Sequence, residues 1–396
     1  MKCILAPFNP SSVSDYFDGI DELPNINLTA SSINNIVKGL LDSGEHLLVV
    51  TTSMKDKSDT IYTTNKLTII VVGCYKPFLL FNLFPDLQYI ANRIYKAVLP
   101  YAADVSLFHA HWCYEFALAA LKFNNKLPIF CTVRDWAPVI YKSILPFNSI
   151  YSFFAKFYWR YKMNIMDRVL SNPRISFVAN SEYTYNLLIE YGIQSNIIHN
   201  SISEDLVLSE LPYINNRNSI ISIAGSIDDN RKNIKSLIEA FEIINNKYPN
   251  IKLILVGDFH QDKGIYNIVR EKHLLKSVIF TGRLDRNDLI KYIDSSFCMI
   301  HPAIEETFGN ILIEAMARGV FCIGGISSGA VPFVLGNGKY GITCDILSPD
   351  EIVIAFESLM NNPNNFEVMR CNALFNIKES YLNNVIARKH ISLYNQ

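Results

Sequence analysis

The segment FCMIHPAIEETFGNILIEAMARG, residues 297–319, shows the pattern that the rest of the chain repeats. Its apolar start predicts a buried strand, the polar residues after Pro302 predict a loop, and the apolar spacing from Asn310 predicts a helix that ends at Gly319. Two glutamates, Glu306 in the loop and Glu314 in the helix, interrupt this apolar stretch. Strand, loop and helix in this order are typical of α/β proteins.

Short apolar runs that predict strands buried on both faces recur along the chain, with helical spacing between them. They lie at 2–7, 45–52, 66–73, 105–111, 127–133, 174–180, 195–200, 219–225, 251–258, 277–282, 297–302 and 320–326. The polar segment 201–218 interrupts both periods and is the predicted linker. We therefore predict an α/β fold with two doubly wound, Rossmann-like domains, at 1–205 and 206–380.

Composition restricts the classes of partner. The chain has 396 residues, of which 49% are apolar, and this is enough for two cores. Its formal net charge of −1 offers no overall positive field, so we predict a small-molecule partner and no nucleic acid. Eight cysteines without a C-x-x-C pair indicate buried thiols in a reducing compartment. With no long apolar run, a cytoplasmic protein is predicted.

The start of the helix at Asn310 suits a phosphate group. Backbone N–H groups of Gly309, Asn310 and Ile311 are expected there together with the positive end of the helix dipole. Gly309 has no Cβ, so a phosphate can approach closely. Glu314, one turn further, can accept hydrogen bonds from the two hydroxyls of a ribose. If the ligand is a nucleotide sugar, Glu306 would then face the sugar on the other side of the diphosphate. Taken alone, the two glutamates fit a solvated helix residue and a loop acid equally well.

EETFGNILIEAMARGVFCIGG at 305–325, followed by SSGAVPFVL at 327–335, resembles the retaining glycosyltransferases of family 4. Their pattern is E-x-F-G-x-x-x-x-E-A-M-A-x-G, so Phe308 belongs to the match. The resemblance implies the GT-B fold, with two domains facing across a cleft and a last helix, 381–396, that crosses back to the first domain. It also implies a nucleotide-sugar donor, retention at the anomeric carbon, and no metal or other cofactor.

Other residues of the second half enter through the same resemblance. AGSIDDNRKNIKSLIEAF at 224–241 is similar to the family's basic segment, which assigns Lys232 to the donor diphosphate and Arg231 to a supporting contact. Ser226 stands where the family usually has arginine. Arg283 matches the loop that borders the nucleobase, although a surface arginine is the alternative.

The first half resembles the family more loosely. The family commonly carries T-x-H near the reacting sugar, whereas this chain has Arg134 there, beside Asp135. Arginine is a poor general base, but it can stabilise a departing phosphate or bind an acceptor anion. His109 and His111 alternate at a strand end and face one side, and the resemblance places His111 and Asp135 on the acceptor side. A packed or capping histidine is the alternative for each of the two histidines.

Two further patterns remain. Residues 140–163 interleave aromatic residues with Lys142, Lys156, Arg160 and Lys162, which predicts either a helix lying on a membrane surface or a core helix with a solvated face.

Residues 336–341 satisfy G-x-G-x-x-G but precede a predicted strand and open no helix, so we exclude a dinucleotide site.

The sequence thus predicts a retaining, nucleotide-sugar-dependent hexosyltransferase with Glu306, Lys232 and Arg134 as its catalytic residues. Its expected acceptor is a glycan or a lipid-linked oligosaccharide in bacterial surface polysaccharide assembly: lipopolysaccharide, O-antigen, capsule or exopolysaccharide. The expected location is the cytoplasm, with contact to the inner face of the cytoplasmic membrane through 140–163. A catalytically silent sugar-nucleotide-binding paralogue and a GT-B epimerase or phosphorylase are the alternatives.

Overall fold

The computed structural model describes residues 1–17, 23–26, 31–75, 84–123, 126–143, 150–214 and 217–396. Its chain forms two compact units, the first from Met1–Ser201 with Asn383–Gln396 and the second from Ile202–Leu382. Each unit has its own parallel sheet, which confirms the predicted α/β class with two Rossmann-like domains.

The first unit is built on a sheet of eight described strands. They are β1 (Lys2–Leu5), β2 (Leu47–Ser53), β3 (Thr60–Thr63), β4 (Leu67–Gly73), β5 (Leu107–His111), β6 (Ile129–Val133), β7 (Ile175–Ala179) and β8 (Ser195–Ile197). Their order is β3-β4-β2-β1-β5-β6-β7-β8, and only β3 runs antiparallel to its neighbour. Strand β3 was not predicted, because this edge strand is mostly exposed and lacks an apolar run.

Helices cover both faces of this sheet. Those before residue 201 are α1 (Ser31–Asp42), α2 (Leu87–Val98), α3 (Glu115–Leu121), α4 (Ala137–Ser143), α5 (Ile150–Leu170) and α6 (Glu182–Glu190). Apolar residues of α2, α3 and α5 share one core, whereas those of α1 belong to a second core. Burial on both faces explains why the strands of this sheet read as continuous apolar runs.

The second unit contains six described strands, all parallel to their neighbours. They are β9 (Ser219–Ser226), β10 (Lys252–Asp258), β11 (Val278–Gly282), β12 (Cys298–His301), β13 (Phe321–Gly325) and β14 (Ile342–Cys344), in the order β11-β10-β9-β12-β13-β14. The order reverses between β9 and β12. Ligands of open α/β sheets bind beyond the carboxyl ends of the strands at such a switch point.

Seven helices are described in the second unit: α7 (Ile234–Lys247), α8 (Gly264–Glu271), α9 (Arg286–Ser295), α10 (Asn310–Ala317), α11 (Val331–Val334), α12 (Pro349–Asn361) and α13 (Glu367–Ser380). The observed start of α10 is the predicted one, and its end lies two residues before the predicted Gly319. Gly319 has a φ of 65°, the left-handed conformation that commonly terminates a helix.

The last helix, α14 (Asn383–Tyr394), packs against α1 in the first unit. Close contact there depends on Gly39, because a Cβ at that position would lie 2.6 Å from the carbonyl oxygen of Asn383. Ile386, Ala387 and Leu393 complete the core on the α1 side of the sheet. In the part of the chain that the structure describes, no helix combines the length and the apolar character needed to cross a membrane.

Candidate functional site

The switch point of the second sheet brings Lys232 and Glu306 together. Lys232 ends a 3-10 turn that follows β9, and Glu306 lies in the loop that follows β12. The Lys232 ammonium donates a hydrogen bond to Oε1 of Glu306, although 74 residues separate the two in sequence. Both side chains stay partly accessible, 24% exposed for Lys232 and 20% for Glu306, so a ligand can reach them.

His301 is the second neighbour of Glu306. It is the last residue of β12 and is 3% exposed, and its Nε2 lies 3.4 Å from the same Oε1. Burial would raise the pKa of Glu306, but the interactions with His301 and the charge of Lys232 outweigh burial and hold that pKa at about 2. Glu306 is therefore a carboxylate at neutral pH. His301 was not assigned from the sequence, although a histidine that ends a buried strand next to this loop was a usable signal.

Backbone hydrogen bonds fix the loops around this pair. The N–H of Ile304 donates to the carbonyl of Arg231 at 2.8 Å, which ties the loop after β12 to the loop after β9. The N–H of Ala330 donates to the carbonyl of Glu306, also at 2.8 Å. Three loops at the carboxyl edge of the sheet are thus joined around Glu306.

Arg231 and Ser226 lie in the same region. The Arg231 guanidinium pairs with Asp229 through Nε to Oδ1 at 3.2 Å and through a second nitrogen to Oδ2 at 2.7 Å. This bidentate partner was not considered in the sequence analysis, and a contact from Arg231 to a diphosphate would have to compete with it. Ser226 ends β9 and pairs in register with Asp258.

The start of α10 provides the backbone groups of the predicted phosphate site. Gly309 caps the helix with a φ of 89°, and the helix begins at Asn310 and continues through Ile311. Phe308, in contrast, is 2% exposed and packs edge-on against Tyr381 with ring centroids 6.0 Å apart. The ring of Phe308 therefore belongs to the core, and a contact between this residue and a donor stays a prediction.

Glu314 lies on α10 with 15% of its side chain exposed, and a nitrogen of Arg286 lies 3.6 Å from its carboxylate. Burial raises the pKa of Glu314, while the positive charge of Arg286 opposes that rise. Arg286, at the start of α9, was not assigned from the sequence because the sequence does not show that it lies beside Glu314. Two ribose hydroxyls that bind Glu314 would either share its carboxylate with Arg286 or displace Arg286 from it.

Arg283 follows β11 and pairs with Asp258 at the end of β10, with Nε 2.7 Å from Oδ2. Both side chains are more than half exposed, 62% and 51%. Pairs of this kind contribute at most about 1 kcal/mol to stability. The geometry agrees with the surface-arginine alternative, and a contact to a nucleobase stays a prediction.

In the first unit, Arg134 lies buried just beyond the carboxyl end of β6. Its guanidinium donates to Nδ1 of His111 at 3.0 Å, to the hydroxyl of Ser32 at 3.3 Å and to the side-chain oxygen of Asn200. Burial lowers the pKa of Arg134 to about 9, so the side chain still carries its charge at neutral pH. The structure therefore joins Arg134 and His111, two residues assigned from the sequence, with two others that were not.

His111 belongs to a cluster of buried histidines. Its ring stacks on that of His109 with centroids 4.4 Å apart, and the ring of His390 from α14 lies 5.2 Å from His109. His109 bridges the hydroxyl of Tyr394 at 2.6 Å and that of Thr132 at 2.8 Å, which agrees with the packed-histidine alternative for His109. Among the described residues, no group of three or more potential ligands is arranged to hold a metal ion.

Asp135 accepts a hydrogen bond from the hydroxyl of Tyr114 at 2.9 Å and lies 3.9 Å from Lys162 of α5. The Lys162 ammonium also stacks over Tyr114 and Trp159, 3.8 Å and 4.1 Å from the ring centroids. Lys162 thus points into the protein, which agrees with the core-helix alternative for this residue. Within 140–163, residues 144–149 lie outside the described residues.

Comparison with known proteins gives two family matches. Residues 213–374 match the family Glycosyl transferases group 1, and residues 29–206 match Glycosyltransferase Family 4. The chain is 33% identical to N-acetyl-alpha-D-glucosaminyl L-malate synthase of Bacillus anthracis over 115 residues, 29% of each protein. It is 27% identical to the capsular polysaccharide biosynthesis glycosyltransferase CapM of Staphylococcus aureus over 191 residues, 46% of this chain and 47% of CapM. These alignments thus span less than half of either relative.

Solved structures resemble the whole chain. Sucrose-phosphate synthase from Thermosynechococcus elongatus superposes with a TM-score of 0.75 at 17% identity, over 100% of this chain and 98% of the other. HepE from Anabaena, solved in complex with UDP and glucose, gives 0.68 at 14% identity, over 100% and 99%. At such identities the likeness shows the fold alone.

Proposed function

Because the chain belongs to the family 4 type of glycosyltransferases and has their two Rossmann-like domains, we propose that it transfers a sugar from a nucleotide-sugar donor to a glycan or lipid-linked acceptor. The observation that carries the proposal is the pair of Lys232 and Glu306 at the switch point of the second sheet. A cation and an anion at the carboxyl edge of a parallel sheet, beside the start of a helix, suit a ligand with a diphosphate and a sugar.

Each end of such a donor has a partner in the second unit. Lys232 and the backbone N–H groups at the start of α10 would bind the diphosphate, and Glu314 would accept hydrogen bonds from the ribose. Glu306 would accept from the sugar hydroxyls. HepE was solved with UDP and glucose, which supports a donor of this class by analogy of fold.

In the proposed reaction, the bond between the anomeric carbon and the diphosphate breaks, and negative charge grows on the leaving diphosphate. Lys232 and the start of α10 stabilise that charge, which is usually the largest contribution that a site of this kind makes. These groups take the role of a metal ion, so we expect activity in the presence of EDTA. Glu306, whose pKa is held at about 2, stabilises the positive charge that develops on the sugar ring.

We expect retention at the anomeric carbon, with the leaving phosphate accepting the proton of the acceptor hydroxyl on the same face of the sugar. NMR of the product determines the anomeric configuration directly. An inverted product would contradict this mechanism, and absence of turnover with every acceptor would favour a silent sugar-nucleotide-binding protein. The match to CapM supports a surface polysaccharide as the acceptor.

Calorimetric titration with UDP, GDP and ADP in EDTA tests the donor site. One nucleotide should bind, and Glu314→Ala should weaken its binding by about 1.5–3 kcal/mol, the cost of a lost hydrogen bond to a charged group. Glu357→Ala is the matched control, since Glu357 also lies on a helix of this unit in an ion pair, with Lys247 at 2.7 Å. The proposal fails if no nucleotide binds, or if both variants bind as the wild type does.

We also propose that α5 brings the protein to a lipid-linked acceptor at the inner face of the membrane. Phe153 and Phe157, one turn apart, are 51% and 71% exposed, and Arg160 is exposed one turn further. Exposed rings beside a cation suit an anionic bilayer surface. Co-sedimentation with phosphatidylglycerol vesicles should be lost when both phenylalanines become serine and kept in Phe375→Ser, which removes an exposed ring of α13. Equal co-sedimentation of both variants would rule this contact out.

A further inference from the structure

The histidine that ends β12 is not explained by packing. His301 is 3% exposed, and neither ring nitrogen has a hydrogen-bond partner among the described residues. An imidazole carries at least one N–H in every protonation state. A buried donor without a partner costs about 1–3 kcal/mol, so an apolar residue would be better for stability at this position.

The nearest acceptor is the carboxylate of Glu306. His301 Nε2 lies 3.4 Å from Oε1, slightly beyond the usual N–H···O distance of about 2.7–3.2 Å. Lys232 donates to that same Oε1. Two side-chain nitrogens thus lie near one oxygen, while Oε2 takes part in no described hydrogen bond, which leaves it for a sugar hydroxyl.

Donor binding would change this arrangement. A diphosphate carries more negative charge than one carboxylate, so it would compete with Glu306 for the Lys232 ammonium. Glu306 would then be less well compensated inside a mostly buried site, where a carboxylate without a positive partner takes up a proton more readily. His301 is the remaining neighbour that can hold Oε1, and its position on a β-strand is rigid.

We propose that His301 is a positioning residue, which takes over Oε1 of Glu306 when Lys232 moves to the donor diphosphate and so keeps Oε2 directed at the sugar. The inference rests on the proposed function, because it assumes that Lys232 and Glu306 bind a nucleotide sugar. His301, the last residue of β12, would thus contribute to the reaction through Glu306 without contacting the substrate itself.

Three substitutions test the geometry. His301→Gln keeps an N–H near the place of Nε2, His301→Asn moves it to the place of Nδ1, and His301→Leu removes it. The substrates are UDP-, GDP- and ADP-sugars, and turnover is measured as the release of nucleoside diphosphate. Binding of the free nucleoside diphosphate is the internal control. We expect Leu and Asn to lower kcat at least tenfold and Gln to stay within about threefold of wild type, while affinity for the free diphosphate changes less than twofold.

The pH profile separates positioning from folding. Because His301 lowers the pKa of Glu306, its loss in the Leu variant should raise that pKa and create a fall in kcat on the acidic side that the wild type lacks. If the Leu variant does not fold, the difference in kcat between the Gln and Asn variants still tests whether the position of the N–H matters. Unchanged kcat, a parallel loss of diphosphate binding, or no difference between Gln and Asn would overturn the role of His301 alone. A wild type that binds no nucleotide would overturn the proposed function as well.

Discussion

The charged side chains of the proposed donor site are partners of one another. Lys232 pairs with Glu306, Arg286 with Glu314, and Arg231 with Asp229. Each pair keeps a partly buried charge compensated, and each offers a ligand one cation or one anion in exchange. At the residue scale, we therefore propose that a donor would bind by replacing ion pairs, and substitution of one member of a pair also changes the charge environment of the other.

Lys232→Ala should remove the main cation for the diphosphate. We expect nucleoside diphosphate affinity to fall by about 1.5–3 kcal/mol, the range for hydrogen bonds to charged groups. Calorimetry measures the change. Lys235→Ala on the neighbouring α7 serves as the control, because the Lys235 side chain is 68% exposed and its ion pair with Glu239 is long, at 3.9 Å. Equal affinities of the two variants would show that the diphosphate does not contact Lys232.

At the scale of elements, the loop between β12 and α10 carries the site, and its last residue sets the start of the helix. Gly309 has a φ of 89°, which L residues with a Cβ adopt only with strain. A Cβ at Gly309 would also lie 3.2 Å from Cδ1 of Leu312. The glycine thus combines a conformational requirement with the open backbone that a phosphate needs.

Gly309→Ala should destabilise the protein by about 1–2 kcal/mol through the left-handed backbone, and it should also weaken nucleotide binding. Gly338→Ala is a matched control, since Gly338 has a φ of 97° in the same unit and nothing within 4 Å of its added Cβ. Chemical unfolding and calorimetry together separate the two effects. If both variants bind nucleotide equally well, the start of α10 is not part of the site.

At the scale of the whole molecule, a cluster of buried histidines formed from distant parts of the first unit makes stability depend on pH. His109 and His111 on β5 lie beside Arg134 and beside His390 of α14, and all three histidines are buried. Burial, together with the charge of Arg134, lowers the pKa of each histidine, and that of His390 falls to about 3. These residues are therefore neutral in the folded protein over most of the pH range.

The free energy of unfolding should fall as the pH is lowered below about 6.5. The unfolded chain then binds protons that the folded one cannot, and each histidine contributes a loss of about 1.4 kcal/mol per pH unit until the pH reaches its folded pKa. Urea unfolding at several pH values measures the slope, and His390→Phe should make it shallower. Stability that stays constant between pH 7.5 and pH 5 would contradict this account.

The sequence predicted the alternation of strands and helices, the position of α10 and most of the residues that line the switch point. It could do so because periodic apolar spacing reports local burial, and because the E-x7-E segment is continuous in the chain. It failed for β3, an exposed edge strand, and it left open whether the side chain of Lys162 faces a membrane or the core. A sequence pattern identifies a residue, but it does not show whether the side chain of that residue points into the core or towards the surface.

The tertiary structure alone decided which charges meet. Lys232 and Glu306 are 74 residues apart, and Arg134 joins Ser32 and Asn200 across 102 and 66 residues. His301 and Arg286 entered the site only through their distances to the two glutamates. The physical reason is that parallel strands gather their carboxyl ends at one edge of the sheet, so strand order and loop path, rather than spacing along the chain, determine these pairs.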